Sequence, residues 1–132
     1  MHKSSILLAI ALGGAFVVQA ADPDIKKLPP PAAKTGVTYA ADIKPIFEKS
    51  CFKCHGPEKQ KAKLRLDSLE AAKKGSENGA VFEAGKSEKS HLVHSVARIL
   101  EDDENMPPEG KGDPLSKDQV ALIRAWIDQG AK

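Results

Sequence analysis

The sequence predicts a small all-α domain of three to five helices. Apolar residues recur at the 3.6-residue spacing of a helix in separate segments, most clearly residues 39–50 and 116–129. Capping residues and glycines bracket those segments, and apolar–polar alternation never runs long enough for a sheet. At 132 residues the chain holds one such domain and not two.

The chain opens with Lys3, an apolar run over residues 6–18, and the small residues Val18 and Ala20 where a signal peptidase inspects them. Residues 1–20 therefore read as a signal peptide cleaved after Ala20. The run is shorter than the ~20 apolar residues that span a bilayer as a helix. No cysteine follows it, so no lipid anchor is indicated. The expectation is an exported, periplasmic protein with no transmembrane segment in the mature chain. Residues 21–37 hold Pro23, Pro29, Pro30 and Pro31 with Lys26, Lys27 and Lys34. They are expected to form a flexible, extended leader, with nothing packed before Thr38. Residues 38–132 form the domain.

In the first helix, residues 39–50, the side chains of Tyr39, Ile43, Ile46 and Phe47 share one face. Pro45 lacks an N–H and clashes with the turn before it. Either the helix begins near Asp42, with Pro45 in its first turn, or it is kinked there. Both routes deliver Cys51-Phe52-Lys53-Cys54-His55 to the helix end, where Gly56-Pro57 stops continuation.

Two thiols three apart with a histidine directly behind them suit covalent attachment of haem c. Cys51 and Cys54 would form thioethers to the haem vinyl groups, and His55 would ligate the iron. Three alternatives stand beside this. A redox dithiol normally sits in a βαβ pattern, and none is visible. A closed zinc site needs four ligands, and no second cysteine pair or spaced histidine pair follows. Two buried cysteines beside a surface histidine would leave the spacing a coincidence. Haem accounts for all three residues at once. It also agrees with export, because haem c is attached outside the cytoplasm by a cytochrome c maturation machinery.

Residues 58–63 read as a charged loop. Leu64 and Leu66 flank Arg65 in an extended piece that offers both leucines to a haem face. Asp67 is expected as the N-cap, with Glu70 at N3, of a brief helix over residues 68–74 that ends at Gly75. Residues 76–79 form a turn and 80–82 a short apolar segment. Ser87 is expected to cap a third helix, residues 88–100. Leu92, Val93, Val96, Ile99 and Leu100 lie on one side of it, and His91 and His94 on the polar side. Residues 101–104 are four consecutive acids, read as a solvated turn, with a docking patch for a basic partner as the alternative.

Asn105-Met106-Pro107-Pro108 follows. A thioether is a weak, soft ligand, so a loop already stiffened by prolines loses less entropy on binding. Met106 is therefore the candidate for the second axial position, and His91 and His94 read as exposed side chains. The last helix has the clearest start. Ser116 is the N-cap, Gln119 completes a capping box, and Leu115 can staple onto Val120. Val120, Leu122, Ile123, Trp126 and Ile127 make a broad apolar stripe, and Gly130 ends it.

In this order of elements the chain resembles class I c-type cytochromes. More closely, Cys-Phe-Lys-Cys-His-Gly-Pro, Lys-Leu-Arg-Leu-Asp, Asn-Met-Pro-Pro and Ala-Trp-Ile-Asp-Gln-Gly-Ala are similar to the planctomycete-type cytochrome c domain, over residues 37–132. The resemblance implies that the first and last helices cross, with Phe47 and Trp126 near the crossing. It also implies His55 and Met106 as axial ligands of a single low-spin haem. One departure is the absence of a proline before Gly85.

A six-coordinate iron leaves no position for substrate, so the expected function is one-electron transfer with redox partner proteins, not enzymatic turnover. A peroxidase or small-ligand sensor, working through a labile Met106, is the alternative. The formal charge of +2, with acids and bases interleaved, speaks against a nucleic-acid partner. Aromatic residues are only 5% of the chain, so a buried porphyrin would supply much of the core in so small a domain.

Overall fold

Proline at position 45 decides how the first helix begins. Having no N–H, it cannot complete an α-helical bond to the carbonyl four residues back. In the computed structural model, which describes residues 14–15 and 21–132, the chain answers with a π-helical turn. That turn is Tyr39–Ile43, and α1, Lys44–Ser50, follows with Pro45 in its first turn. Thr38 caps the start, its hydroxyl accepting from Ala41 N at 3.3 Å, while Asp42 accepts from Thr38 N at 2.9 Å. Tyr39, Ile43, Ile46 and Phe47 are all buried, so the face expected from the sequence is the face that packs.

Three further helices complete the secondary structure among the described residues: α2, Leu69–Lys74; α3, His91–Val96; and α4, Lys117–Asp128. There are 3-10 turns at Ile25–Lys27, Lys61–Lys63 and Ser87–Lys89, and no strand. The domain is all-α. No described helix is long and apolar enough to cross a membrane. The expected signal peptide, residues 1–20, lies outside the described residues apart from Gly14 and Ala15.

Helix α4 packs against the π turn, the 3-10 turn at Ser87–Lys89 and α3. Ser116 Oγ accepts from Gln119 N at 3.1 Å and Gln119 Oε1 accepts from Ser116 N at 2.9 Å, closing the expected capping box. Its buried stripe of Val120, Ile123, Trp126 and Ile127 faces an aromatic cluster. Trp126 lies 6.2 Å from Phe47 edge-on, 6.1 Å from Tyr39 and 5.0 Å from Phe82 between ring centroids. These separations fall in the range where aromatic pairs add roughly 0.5–1.5 kcal/mol beyond the area they bury. Trp126 Nε1 donates to the Lys132 carbonyl, which also accepts from Tyr39 N, so the chain end ties the two helical segments together. Gly130, at φ +105°, supplies the left-handed residue that lets the chain turn back for this.

Apart from the 3-10 turn at Ile25–Lys27, residues 21–37 are extended, and contrary to the expectation of an unpacked leader they are packed. Leu28 and Ala32 rest on the core and Val37 is buried. Ala32 N donates to the Ala121 carbonyl at 2.9 Å, and Val37 N donates to Gln129 Oε1 at 3.1 Å. Gln129 Nε2 donates to the Lys34 carbonyl at 2.7 Å, and Arg124 Nη1 donates to the Pro29 carbonyl. The physical reason is acceptor supply. A proline-rich extended strand presents carbonyls with no internal partner, and α4 carries side-chain donors that reach them.

Two helix starts differ from expectation. Helix α2 is capped by Ser68, whose Oγ accepts from Ala71 N at 3.1 Å, because Asp67 instead forms a two-pronged ion pair with Arg65. Helix α3 is confined to His91–Val96. Ser87 does not cap it: its N–H and hydroxyl both donate to the Asp128 carboxylate, and its hydroxyl accepts from Arg124 Nε at 3.0 Å. At the other end Arg98 adopts φ +58° and stops the helix before Ile99.

Arg124 is 5% exposed and holds Ser87 and the Pro29 carbonyl at once. Arg124→Met should therefore cost about 2–4 kcal/mol in urea unfolding, against less than about 0.5 kcal/mol for the exposed Lys27→Met. Equal costs would contradict this role. Burial first, and the Asp67 charge second, push the Tyr39 phenol up to about 12 from 10.0. The unfolded chain then loses that proton before the folded chain does, so this contribution is complete below pH 10 and shrinks as pH rises toward 12. A Tyr39→Phe variant should show a shallower loss of stability over that interval, and an identical slope would refute it.

Candidate functional site

The end of α1 winds directly into the cysteine pair. Cys51 N and Phe52 N both donate to the Phe47 carbonyl, at 2.7 and 3.0 Å. Cys54 N and His55 N then both donate to the Cys51 carbonyl, at 3.1 and 2.9 Å. This tight winding brings both free thiols and the imidazole to the wall of one cavity. Gly56 is obligatory for it, since a Cβ there would collide with the Phe52 carbonyl oxygen.

A second wall is laid alongside by residues 60–66. Lys61 N donates to the Cys54 carbonyl at 2.9 Å and Leu66 N to the His55 carbonyl at 2.8 Å. Ala62 and Lys63 take left-handed backbone conformations, φ +54° and +56°, to make the bend between them. Leu64 and Leu66 are buried against the cavity, as their spacing around Arg65 implied. Tyr39 Oη donates to the Leu66 carbonyl at 2.6 Å and fastens this wall to the aromatic cluster.

His55 is 8% exposed, and its Nδ1 lies 3.1 Å from the Lys61 carbonyl. A carbonyl can only accept, so Nδ1 carries the proton and Nε2 keeps its lone pair. Burial holds the imidazole pKa below its ordinary value, which favours that neutral form. Burial also pushes the Cys51 thiol up to about 12, with Cys54 as a lesser cause.

Val81, Leu92, Ser95 and Val96 form the third wall, and Met106, Pro107 and Pro108 the fourth. The methionine loop is pinned at three points. Met106 N donates to the Ser95 carbonyl at 3.0 Å, and Arg98 Nη1 to the Pro107 carbonyl at 2.8 Å. Buried Asn105 clamps the loop neck, accepting from Leu100 N and donating to the Leu100 carbonyl, each at 3.2 Å. The cavity, open at one side, has a volume of about 580 Å³, within the ~300–1,000 Å³ of typical small-molecule and cofactor sites.

All four residues singled out from the sequence, Cys51, Cys54, His55 and Met106, thus line the same mostly apolar cavity. His91 stands exposed at its rim. His94 departs from expectation. It is buried, not solvated, because the 3-10 turn before α3 carries the Glu88 carbonyl to within 2.6 Å of its Nε2. Its ring faces that carbonyl and does not line the cavity. Sequence reasoning passed over Asn105, Arg98 and the Lys61 carbonyl. Asn105 alone left a trace, as a side-chain amide directly before the candidate ligand. Among the described residues, no three His, Cys, Asp or Glu side chains gather into a metal-holding group of the zinc kind.

Residues 51–110 match the family model described as Planctomycete cytochrome C. This part of the chain is similar to planctomycete-type cytochrome c domains. The matched segment runs from the first cysteine past the methionine loop and so contains every wall of the cavity. No curated protein and no solved structure matches the chain. A c-type cytochrome domain with a paired Cys51 and Cys54 implies covalent haem c, and the residues present fit that group. Two thiols, one imidazole with a free Nε2, one thioether and an apolar wall converge on a space of cofactor size.

Replacing Asn105 by alanine would leave the Leu100 N–H and carbonyl without partners. Asn105→Ala should destabilise the cytochrome c domain by about 1–3 kcal/mol in chemical unfolding, and Asn105→Asp by less, since one acceptor survives. No measurable change in either would mean the clamp holds nothing.

Proposed function

We propose that the chain is an exported, periplasmic one-electron carrier with a class I cytochrome c-like fold and one covalent haem c. Cys51 and Cys54 are its thioether attachment points, and His55 and Met106 its axial ligands. The observation that carries this reading is the convergence of those four side chains on one apolar cavity. When bound, haem c supplies a one-electron iron couple whose potential rises with a methionine ligand.

The chain's own residues do the rest. The Lys61 carbonyl holds His55 in one tautomer and one orientation, which keeps Nε2 available and raises its basicity. Leu64, Leu66, Val81, Leu92 and Val96 keep water from the cavity walls and lower the local dielectric. Asn105, Arg98 and the Ser95 carbonyl hold the methionine loop before any ligand bond forms. Little then moves on electron transfer, and with both axial positions filled by the chain we read a carrier and not an enzyme. Its partners are redox proteins and, before them, the maturation machinery.

Optical spectroscopy tests the ligand set. The exported protein should give a c-type pyridine haemochrome and a methionine-to-iron charge-transfer band in the ferric state. Met106→Ala should keep the haemochrome, lose the band and lower the midpoint potential. A parent protein without that band, or a band that survives in Met106→Ala, would sink the ligand assignment.

A further inference from the structure

The two lips of the cavity mouth carry opposite charge. The lip that supplies the cysteines and His55 is basic, with six lysines against two glutamates over residues 44–63. The lip that supplies Met106 is acidic, with six carboxylates against Lys111 alone over residues 101–113. Lys53 and Lys61 from the first, and Asp103 and Glu104 from the second, are exposed and line the mouth itself. Among the described residues, none of these four is in an ion pair, and no ion pair joins the lips across the opening.

A partner face of one sign would be drawn to one lip and repelled by the other. A two-fold contact between copies removes that conflict, because it sets each lip against the opposite lip of the other molecule. The whole chain carries only +2, so little long-range repulsion opposes the approach of two copies. We infer that the mouth is a docking surface for a second copy of this chain, in a transient, head-to-head pair held by its charged lips. The inference rests on the electron-carrier reading and gives it a direction. Paired mouths allow one electron to leave a reduced copy, which becomes oxidised, and enter an oxidised copy, which becomes reduced. No proton or further reactant is needed. Electrons would then pass along a population of the protein and not only from one donor to one acceptor.

The test is a charge swap on the haem-loaded protein. Translational diffusion by NMR reports association, and line broadening in a half-reduced sample reports electron exchange. The parent should show concentration-dependent association that weakens about tenfold or more from low to high salt, as exposed charge pairs do. One variant makes residues 101–104 lysine, giving an all-basic mouth. A second carries Lys49→Glu, Lys53→Glu and Lys59→Glu, which reverses the net charge of the lysine lip to negative while keeping Lys61, whose carbonyl holds His55. Each variant alone should lose self-association and exchange, and an equimolar mixture should recover both.

Variants that still self-associate like the parent, or a mixture that recovers nothing, would overturn the inference. So would a parent whose diffusion and exchange ignore salt and concentration. If only the lysine lip proves to matter, toward a separate acidic protein, the second-copy assignment is likewise wrong. A coloured, redox-active protein that fails the swap defeats this inference alone. A colourless protein defeats the electron-carrier reading and takes this inference with it.

Discussion

A buried imidazole whose Nδ1 lies 3.1 Å from the Lys61 carbonyl constrains the whole site. That carbonyl can serve only if residues 60–66 run close beside the cysteine turn, and the Lys61-to-Cys54 and Leu66-to-His55 bonds keep them there. The bend that makes this possible forces Ala62 and Lys63 into left-handed backbone, a strained choice for residues with a Cβ. Six residues of separation between His55 and its partner mean that the imidazole and its orienting group fold as one local unit. The two leucines that wall the cavity belong to that unit as well.

The remainder of the fold supports that unit from behind. Tyr39 belongs to both parts, with its ring against Phe47 and Trp126 and its hydroxyl on the Leu66 carbonyl. The π turn at Tyr39–Ile43 sets this geometry, and it exists because Pro45 cannot continue an ordinary helix backward. Helix α4 then backs the aromatic cluster on one side and binds the proline-rich segment through Arg124 and Gln129 on the other. A chain with so few aromatics concentrates four of them in one cluster and leaves the cavity to aliphatic side chains and sulfur.

Much of this was legible in the residues because the physics is local. A cysteine pair followed by histidine, a four-residue capping box and an i, i+4 apolar stripe each act over a few positions, and each appears where expected. Met106 stood out through its prolines, and it lies on the cavity wall. What escaped notice depends on partners far along the chain. Arg124 meets the Pro29 carbonyl across 95 positions, so neither the proline segment nor the arginine shows its packing in its own neighbourhood. Ser87 looked like a helix cap because its competing partner, Asp128, lies 41 residues away. His94 looked solvated because helical periodicity assumed a helix from residue 88, whereas the 3-10 turn at Ser87–Lys89 redirects the Glu88 carbonyl onto its ring. Asn105 needed knowledge of where Leu100 would lie once α3 had stopped early.

Attachment at two sulfurs is the claim on which the cavity, the ligand geometry and the proposed carrier role all converge. Intact-mass measurement of the chain purified from a host that matures c-type cytochromes tests it most directly, after treatment with a thiol-alkylating reagent under denaturing conditions. The account predicts the mass of the processed polypeptide plus one haem, with neither Cys51 nor Cys54 alkylated. A bare polypeptide mass carrying two alkyl groups would contradict it.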